Sequence, residues 1–298
     1  MLDTPPNDWP DRGVSRFLEV SGIRWHLQTL GQPAHQAPTV LLVHGTGGAT
    51  HSWAAVTPLL APHAHIVALD LPGHGFTVVP ASVERARNPF ALAGMARVLS
   101  ELLTELDVRP DVAVGHSAGV SVLLRMAVDG LIAPQRLVGI CPALVAPPQW
   151  YITLIAPLLG VIVESDLMAS SAARLAAGTR IVQQMLHSTG TVLSPVQLAR
   201  YRHLCMRPTH VHAALSMMAR WDLPALLRDS GALRTPLQLV AARGDRWIPL
   251  APLRRAVQRL PGMRLVVEEG GHLLPEERPE VVVREVLAAL APVPEPGD

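Results

Sequence analysis

Six short apolar runs rich in β-branched residues recur along the chain, at Thr39–Val43, His65–Asp70, Asp111–Gly115, Arg136–Ile140, Leu237–Ala241 and Arg264–Glu268. Segments with helical spacing lie between and after them, at Ser52–Leu60, Pro89–Leu106, Gly119–Val128, Pro252–Leu260 and Pro279–Ala291. This alternation predicts a mostly parallel sheet with helices on both faces, since parallel neighbours need a crossover between them. Within Pro89–Leu106 the residues Leu92, Met95, Ala96, Leu99, Leu102 and Leu103 recur at helical spacing and mark the core-facing side. Ser15–Val20 and Ile23–Leu30, joined around Ser21-Gly22, predict an antiparallel hairpin ahead of the sheet. From about 144 to 231 the alternation lapses into helix-like runs such as Ser170–Ala177 and Val211–Met218. The expected organisation is therefore α/β, with a core of residues 1–143 and 232–298 interrupted by a helical cap at 144–231.

Composition removes several classes of function. A net charge of +1 without a basic stripe gives no electrostatic case for nucleic acid. There is no lysine, so all 25 basic residues are arginine, which excludes a lysine Schiff base and a Walker A lysine. Cys141 and Cys205 are far apart, lack metal-ligand spacing and read as small buried hydrophobes in a reducing compartment. The opening MLDTPPNDWPDRG has neither the basic nor the apolar region of a signal peptide, and APVPEPGD at the other end reads as a short tail. A cytoplasmic protein is expected. Residues 137–163 carry no charge and are long enough to span a bilayer, but Pro142, Pro147, Pro148, Pro157 and Gly160 interrupt them. They read as a core strand followed by an apolar segment over a pocket, with contact to a membrane surface left open.

The stretch DVAVGHSAGV, residues 111–120, ends a strand on a serine between two glycines. Such a turn can lift Ser117 Oγ clear of the sheet as a nucleophile elbow. A serine hydroxyl is a poor nucleophile unless a base removes its proton and an acid orients that base. Two candidates follow in the order Ser, Asp, His. LQLVAARGD ends in Asp245 and RLVVEEGGH ends in His272, each after a strand, where open α/β sheets bind their ligands. VLLVHGTGG brings a Gly-rich loop to a third strand end, so the backbone N–H groups of Thr46 and Ala118 are the expected oxyanion donors. A phosphate loop is the rival reading of that segment, and it lacks both the lysine and the glycine spacing. In DLPGHGFT, Asp70 and His74 are expected to support the turn. The closest histidine pairs, His63/His65 and His210/His212, come without a third ligand, so neither a metal nor a cofactor is expected.

With these motifs in place, the chain resembles the α/β-hydrolase superfamily over essentially its whole length. The resemblance implies an α/β-hydrolase fold, and Ser117 in place of a carboxylate argues against dehalogenase or epoxide-hydrolase chemistry. A narrower resemblance is carried by Asp8-Trp9-Pro10 with Ser15-Arg16-Phe17, Trp25-His26, HGTGGATHSW at 44–53, DLPGHGFT at 70–77, Gly94-Met95-Ala96, GHSAG at 115–119 and MMARWDL at 217–223. These pieces are similar to BchO-type magnesium-chelatase accessory proteins of bacteriochlorophyll biosynthesis. Two positions depart from the superfamily pattern: Ala242, where relatives often carry glycine ahead of the acid, and Pro275, soon after His272. Two functions follow as expectations. One is a cofactor-independent serine hydrolase acting on an ester-like bond of an apolar substrate, a tetrapyrrole ester among the options. The other is a non-catalytic tetrapyrrole-binding or magnesium-chelatase accessory protein that retains the three residues.

Overall fold

The computed structural model describes residues 4–145, 180–258 and 260–291. Its strands are β1 Ser15–Val20, β2 Ile23–Gly31, β3 Thr39–Val43, β4 His65–Leu69, β5 Val112–His116, β6 Arg136–Ile140, β7 Leu237–Ala242 and β8 Arg264–Glu268. They form one sheet in the order β1-β2-β4-β3-β5-β6-β7-β8. Pairing is antiparallel from β1 to β4 and parallel from there to β8. The α/β organisation and the opening hairpin expected from the sequence are the ones adopted.

Alternation along each strand divides the core between the two faces. Leu41 and Val43 of β3 and Ala113 of β5 pack with the helices α3 Leu92–Glu105 and α4 Ala118–Val128. Val40, Leu42, Val112 and Val114 point the other way, towards α1 Thr57–Leu60 and α11 Pro279–Leu290. All six stripe residues of the 89–106 segment are buried in α3. The register aligns Val43 with Gly115 and Gly115 with Gly139, so neighbouring strands finish level and deliver their loops to one rim.

The structure corrects one local helix reading and adds two short helices that the sequence did not suggest. Ser52–Leu60 is not one helix: a 3-10 turn at Thr50–Trp53 precedes the separate α1. Pro58 is the reason, because it lacks an N–H and its ring crowds the carbonyl four residues earlier, so a helix restarts there with proline in its first turn. The helix α2 Ala81–Arg87 arises where the sequence suggested none, and Asn88 ends it at φ 46°. A short helix, α10 Leu274–Glu277, places Pro275 in its first turn, a position that tolerates it.

Between residue 180 and β7 the described residues are helical, with α5 Ile181–Ser188, α6 Pro195–Cys205, α7 Pro208–Arg220 and α8 Leu223–Asp229. The run Val211–Met218 lies within α7, whereas Ser170–Ala177 and the uncharged stretch from 146 lie outside the described residues. Helix α9 Leu250–Val257 connects β7 to β8. Among the described residues no helix is long and apolar enough to cross a membrane.

One contact fixes how closely α4 approaches the sheet. A Cβ on Gly119 would stand 2.3 Å from the Val43 carbonyl oxygen and 2.7 Å from that of His44. Both are backbone atoms of β3 or its end and cannot rotate away. Gly119→Ala is therefore expected to lower stability by about 1–3 kcal/mol, the cost of overpacking a tight site. Thermal unfolding checks this, and an unchanged midpoint would show that α4 does not depend on this approach.

Candidate active site

The site grows from the junction of β5 and α4. Ser117 adopts φ 50° and ψ −114°, outside both the strand and the helix basins. Three backbone hydrogen bonds hold it there: its N–H donates to the Ile140 carbonyl at 2.8 Å, and its carbonyl accepts from Val120 and Ala143 N–H, each at 3.1 Å. A Cβ on Gly115 would meet Val120 N at 2.5 Å, so both glycines of Gly115-His116-Ser117-Ala118-Gly119 answer to crowding around the bend. The serine between them has its hydroxyl turned to a cavity at the strand rim.

Asp245 and His272 come to that hydroxyl from the ends of β7 and β8. His272 Nε2 lies 2.9 Å from Ser117 Oγ, and His272 Nδ1 lies 2.7 Å from Asp245 Oδ2. The carboxylate accepts from Nδ1–H, which leaves Nε2 bare towards the serine proton. The other carboxylate oxygen, Oδ1, accepts from the N–H groups of Trp247 and Ile248, both at 2.8 Å. Its loop is thus wound around the acid. The Trp247 ring stacks on the imidazole at 5.9 Å between centroids. The three residues selected from the sequence form one hydrogen-bonded row.

Residues that the sequence reading passed over hold this row in place. His116 is buried, and its Nε2–H donates to the His272 carbonyl at 2.8 Å. Burial, helped by the neighbouring His272, pushes the His116 pKa down to about 3, so it does this as a neutral ring. Thr189, just after α5, offers one carbonyl to two loops, accepting from Arg246 N–H and His272 N–H at 3.3 Å each. Thr191 Oγ1 accepts from Leu273 N–H at 2.9 Å. Cys141, at φ 45°, ends β6 beneath the acid; burial first, then the charge of Asp245, raise its thiol pKa well above the usual value. Ligand-type atoms of Cys141, Asp245 and His272 lie within 4.8 Å of one another. The direct Nδ1–H bond to Asp245 already occupies two of them, so a metal there would have to break the row.

Thr46 and Ala118 both line the cavity beside Ser117. Ala118 is the first residue of α4, where an N–H has no intrahelical acceptor. The Thr46 loop is shaped by a neutral histidine: His44 Nδ1–H donates to Gly45 O at 2.7 Å while its Nε2 accepts from Leu71 N–H at 2.9 Å. Burial lowers the His44 pKa and keeps that tautomer uncharged. Asp70 ties the same loop down. Its Oδ1 accepts from Thr50 N–H at 2.7 Å, and its Oδ2 from Phe76 N–H at 2.8 Å and His26 Nδ1–H at 2.7 Å. His74 caps its own turn through Pro72 O at 3.0 Å.

The histidine pairs do not converge. His210 Nδ1 accepts from Gly75 N–H at 3.0 Å and its Nε2–H donates to Gly47 O at 3.2 Å, which fastens α7 to the Thr46 loop. His212 instead faces Glu84 at 3.2 Å, as an i, i+2 pair on a helix must. His65 binds the Gln32 carbonyl at the far end of β4. Much of the remaining cavity wall is apolar, with Val145, Leu186, Met217, Met218, Trp221 and Ile248, and Ser52, Thr189 and Tyr201 add polar positions.

Comparison with known proteins gives this arrangement a context. A model of the alpha/beta hydrolase family matches residues 40–285. The magnesium-chelatase 30 kDa subunit of Rhodobacter capsulatus is 34% identical over 272 residues, 91% of this chain and 92% of that protein. The pimeloyl-[acyl-carrier protein] methyl ester esterase of Aromatoleum aromaticum is 30% identical over 245 residues, 79% of this chain and 91% of that one. Among solved structures, an alpha/beta hydrolase fold protein from Burkholderia ambifaria superposes with a TM-score of 0.74 at 23% identity, covering 92% of this chain and 97% of that one.

Proposed function

Because this chain belongs to the alpha/beta hydrolase family, we propose that it is a serine hydrolase that cleaves an ester-like bond of an apolar substrate without a cofactor. The observation that carries this reading is the single imidazole bridging Ser117 Oγ at 2.9 Å and Asp245 at 2.7 Å, at the edge of an apolar cavity. In this mechanism His272 Nε2 takes the Ser117 proton as Oγ attacks the substrate carbonyl carbon. Asp245 holds the Nδ1–H tautomer and stabilises the imidazolium that forms. The carbonyl oxygen, now an oxyanion, turns to the N–H groups of Thr46 and Ala118. Collapse of the tetrahedral intermediate breaks the bond to the leaving alcohol, which receives the proton from His272. Water, deprotonated by the same ring, then attacks the acyl-serine and releases the acid, with Ser117 regaining its proton.

In this reading the helices between β6 and β7 are the cap expected at 144–231, and their residues Leu186 and Met217 shape the substrate side of the cavity. The relative named a methyl ester esterase supports ester chemistry, and the relative named a magnesium-chelatase subunit supports a tetrapyrrole ester as the substrate class and magnesium chelatase as a partner. The same chelatase relative favours a second reading, an accessory protein whose cavity holds a tetrapyrrole without turning it over. A fluorophosphonate probe separates the two, because it reports an activated serine before any substrate is known. Labelling followed by peptide mapping is expected to place the adduct on Ser117. An unlabelled protein with this fold intact would favour the accessory reading.

A further inference from the structure

The Thr46 loop is held from outside the sheet by a histidine far along the chain. His210, buried in the first turn of α7, sits between the loops that follow β3 and β4. Its partners fix its tautomer. Gly75 N–H can only donate and the Gly47 carbonyl can only accept, so Nδ1 is bare at 3.0 Å from Gly75 N and Nε2 carries the proton at 3.2 Å from Gly47 O. Burial first, then His74 and His44, lower its pKa well below the usual value and keep the ring neutral.

The bond to Gly47 reaches further than one carbonyl. Gly47 C=O and Gly48 N–H belong to a single planar peptide group. Gly48 N–H donates to Gly45 O at 3.0 Å, closing a turn whose third residue, Gly47, stands at φ 72°. Gly45 C=O in turn shares its plane with Thr46 N–H, the expected oxyanion donor. A continuous row therefore runs from His210 Nε2–H through two rigid peptide groups to that donor. Tilting the Gly47 carbonyl tilts Gly48 N–H, and a shift at Gly45 O re-aims Thr46 N–H. Each accepted bond also polarises the N–H of the same peptide group, which strengthens it as a donor. His44 steadies Gly45 O from the sheet side at 2.7 Å, and His210 supplies the second support through the turn.

Helix α7 has other contacts that seat it. A Cβ on Gly73 would stand 2.6 Å from Ala213 Cβ, so the helix presses directly on the turn after β4 one turn beyond His210. Met217, two turns beyond His210 on the same face, lines the cavity.

We propose that His210 is a positioning residue for the oxyanion donor, so that helix α7, and not the strand loops alone, sets the direction of Thr46 N–H. The inference rests on the hydrolase reading for its effect on rate, but the row of bonds does not require turnover.

His210→Phe removes both bonds and keeps a ring of similar size. It is expected to lower kcat for p-nitrophenyl butyrate by about 10- to 100-fold, less than the roughly 10²- to 10³-fold lost when an oxyanion donor is deleted outright, with KM within about twofold. His210→Gln, whose amide offers one acceptor and a donor, should recover most of that loss. A residue that only anchored α7 would raise KM through Met217 and leave kcat in place. Hydrogen exchange of the Gly48 amide, followed by NMR, reads the middle link without substrate. It should quicken by about tenfold or more in His210→Phe and stay near wild type in His210→Gln. If the phenyl ring is not accommodated, His210→Ala carries the same comparison. An unchanged kcat in the folded variant, or a Gly48 amide that does not respond, would overturn the proposal. A Gly48 amide that responds in a protein that hydrolyses no ester would support the row and overturn the hydrolase reading alone.

Discussion

Ser117→Ala is expected to lower turnover of a short-chain aryl ester by about 10³-fold or more, as loss of a nucleophile does in a hydrolase of this type. The fold should survive. Alanine can occupy the same φ 50° bend at a strain close to that of serine, because the three bonds that hold it are backbone bonds. Among the described residues, the side-chain bond removed is the one between Oγ and His272 at 2.9 Å. Loss of activity with an unchanged thermal midpoint therefore isolates the chemistry from the scaffold. Equal rates for the two proteins, normalised to folded material, would take Ser117 out of the reaction.

Asp70→Ala should be the most destabilising of the single substitutions considered, by about 3–5 kcal/mol, the usual consequence of deleting one member of a buried ionic network. It leaves the N–H groups of Thr50 and Phe76 and Nδ1–H of His26 facing an empty site, all in a region sealed from water. The pH dependence has a definite sign. Burial alone would raise the Asp70 carboxyl, but His26 and the surrounding donors outweigh it and hold the pKa at about 2, below the usual 3.8. A depressed carboxyl contributes stability that is present above its unfolded pKa and lost as pH falls through the folded one. Wild-type protein should therefore lose stability between about pH 4 and pH 2, and Asp70→Ala should lose less over the same interval. Denaturant midpoints across that range measure both effects. A variant as stable as the wild type at pH 7 would show that the network is not needed to hold the Thr50 turn.

Asp70 also marks a limit of what the residues reveal. Its place in DLPGHGFT identified it as a turn support, but the partners Thr50 and His26 lie 20 and 44 residues earlier and have no spacing that would announce them. Ser117, Asp245 and His272 were legible for the opposite reason. Each ends an apolar strand, the strands are parallel, and parallel strands that start together must finish at one rim. His116 sits within the elbow motif itself, yet nothing local shows that its ring reaches the carbonyl of a residue 156 positions later. Thr189 lies just after α5, among the helices that precede β7, where no strand pattern supplies a register, and its bridging of the two loops emerges only when α5 is seated.

The amino-acid sequence by itself determined the mostly parallel sheet, its opening hairpin and the three loops from which the site is assembled, whereas the order of the strands emerged only in the folded chain. Periodicity is a local property, and each strand carries its own. Tertiary structure alone decided which tautomers the buried histidines hold, which carbonyl braces the acid and base loops, and how a histidine of α7 comes to hold the Thr46 loop. Those outcomes depend on distances between atoms far apart in the chain and on the exclusion of water, neither of which is written in any short stretch of residues.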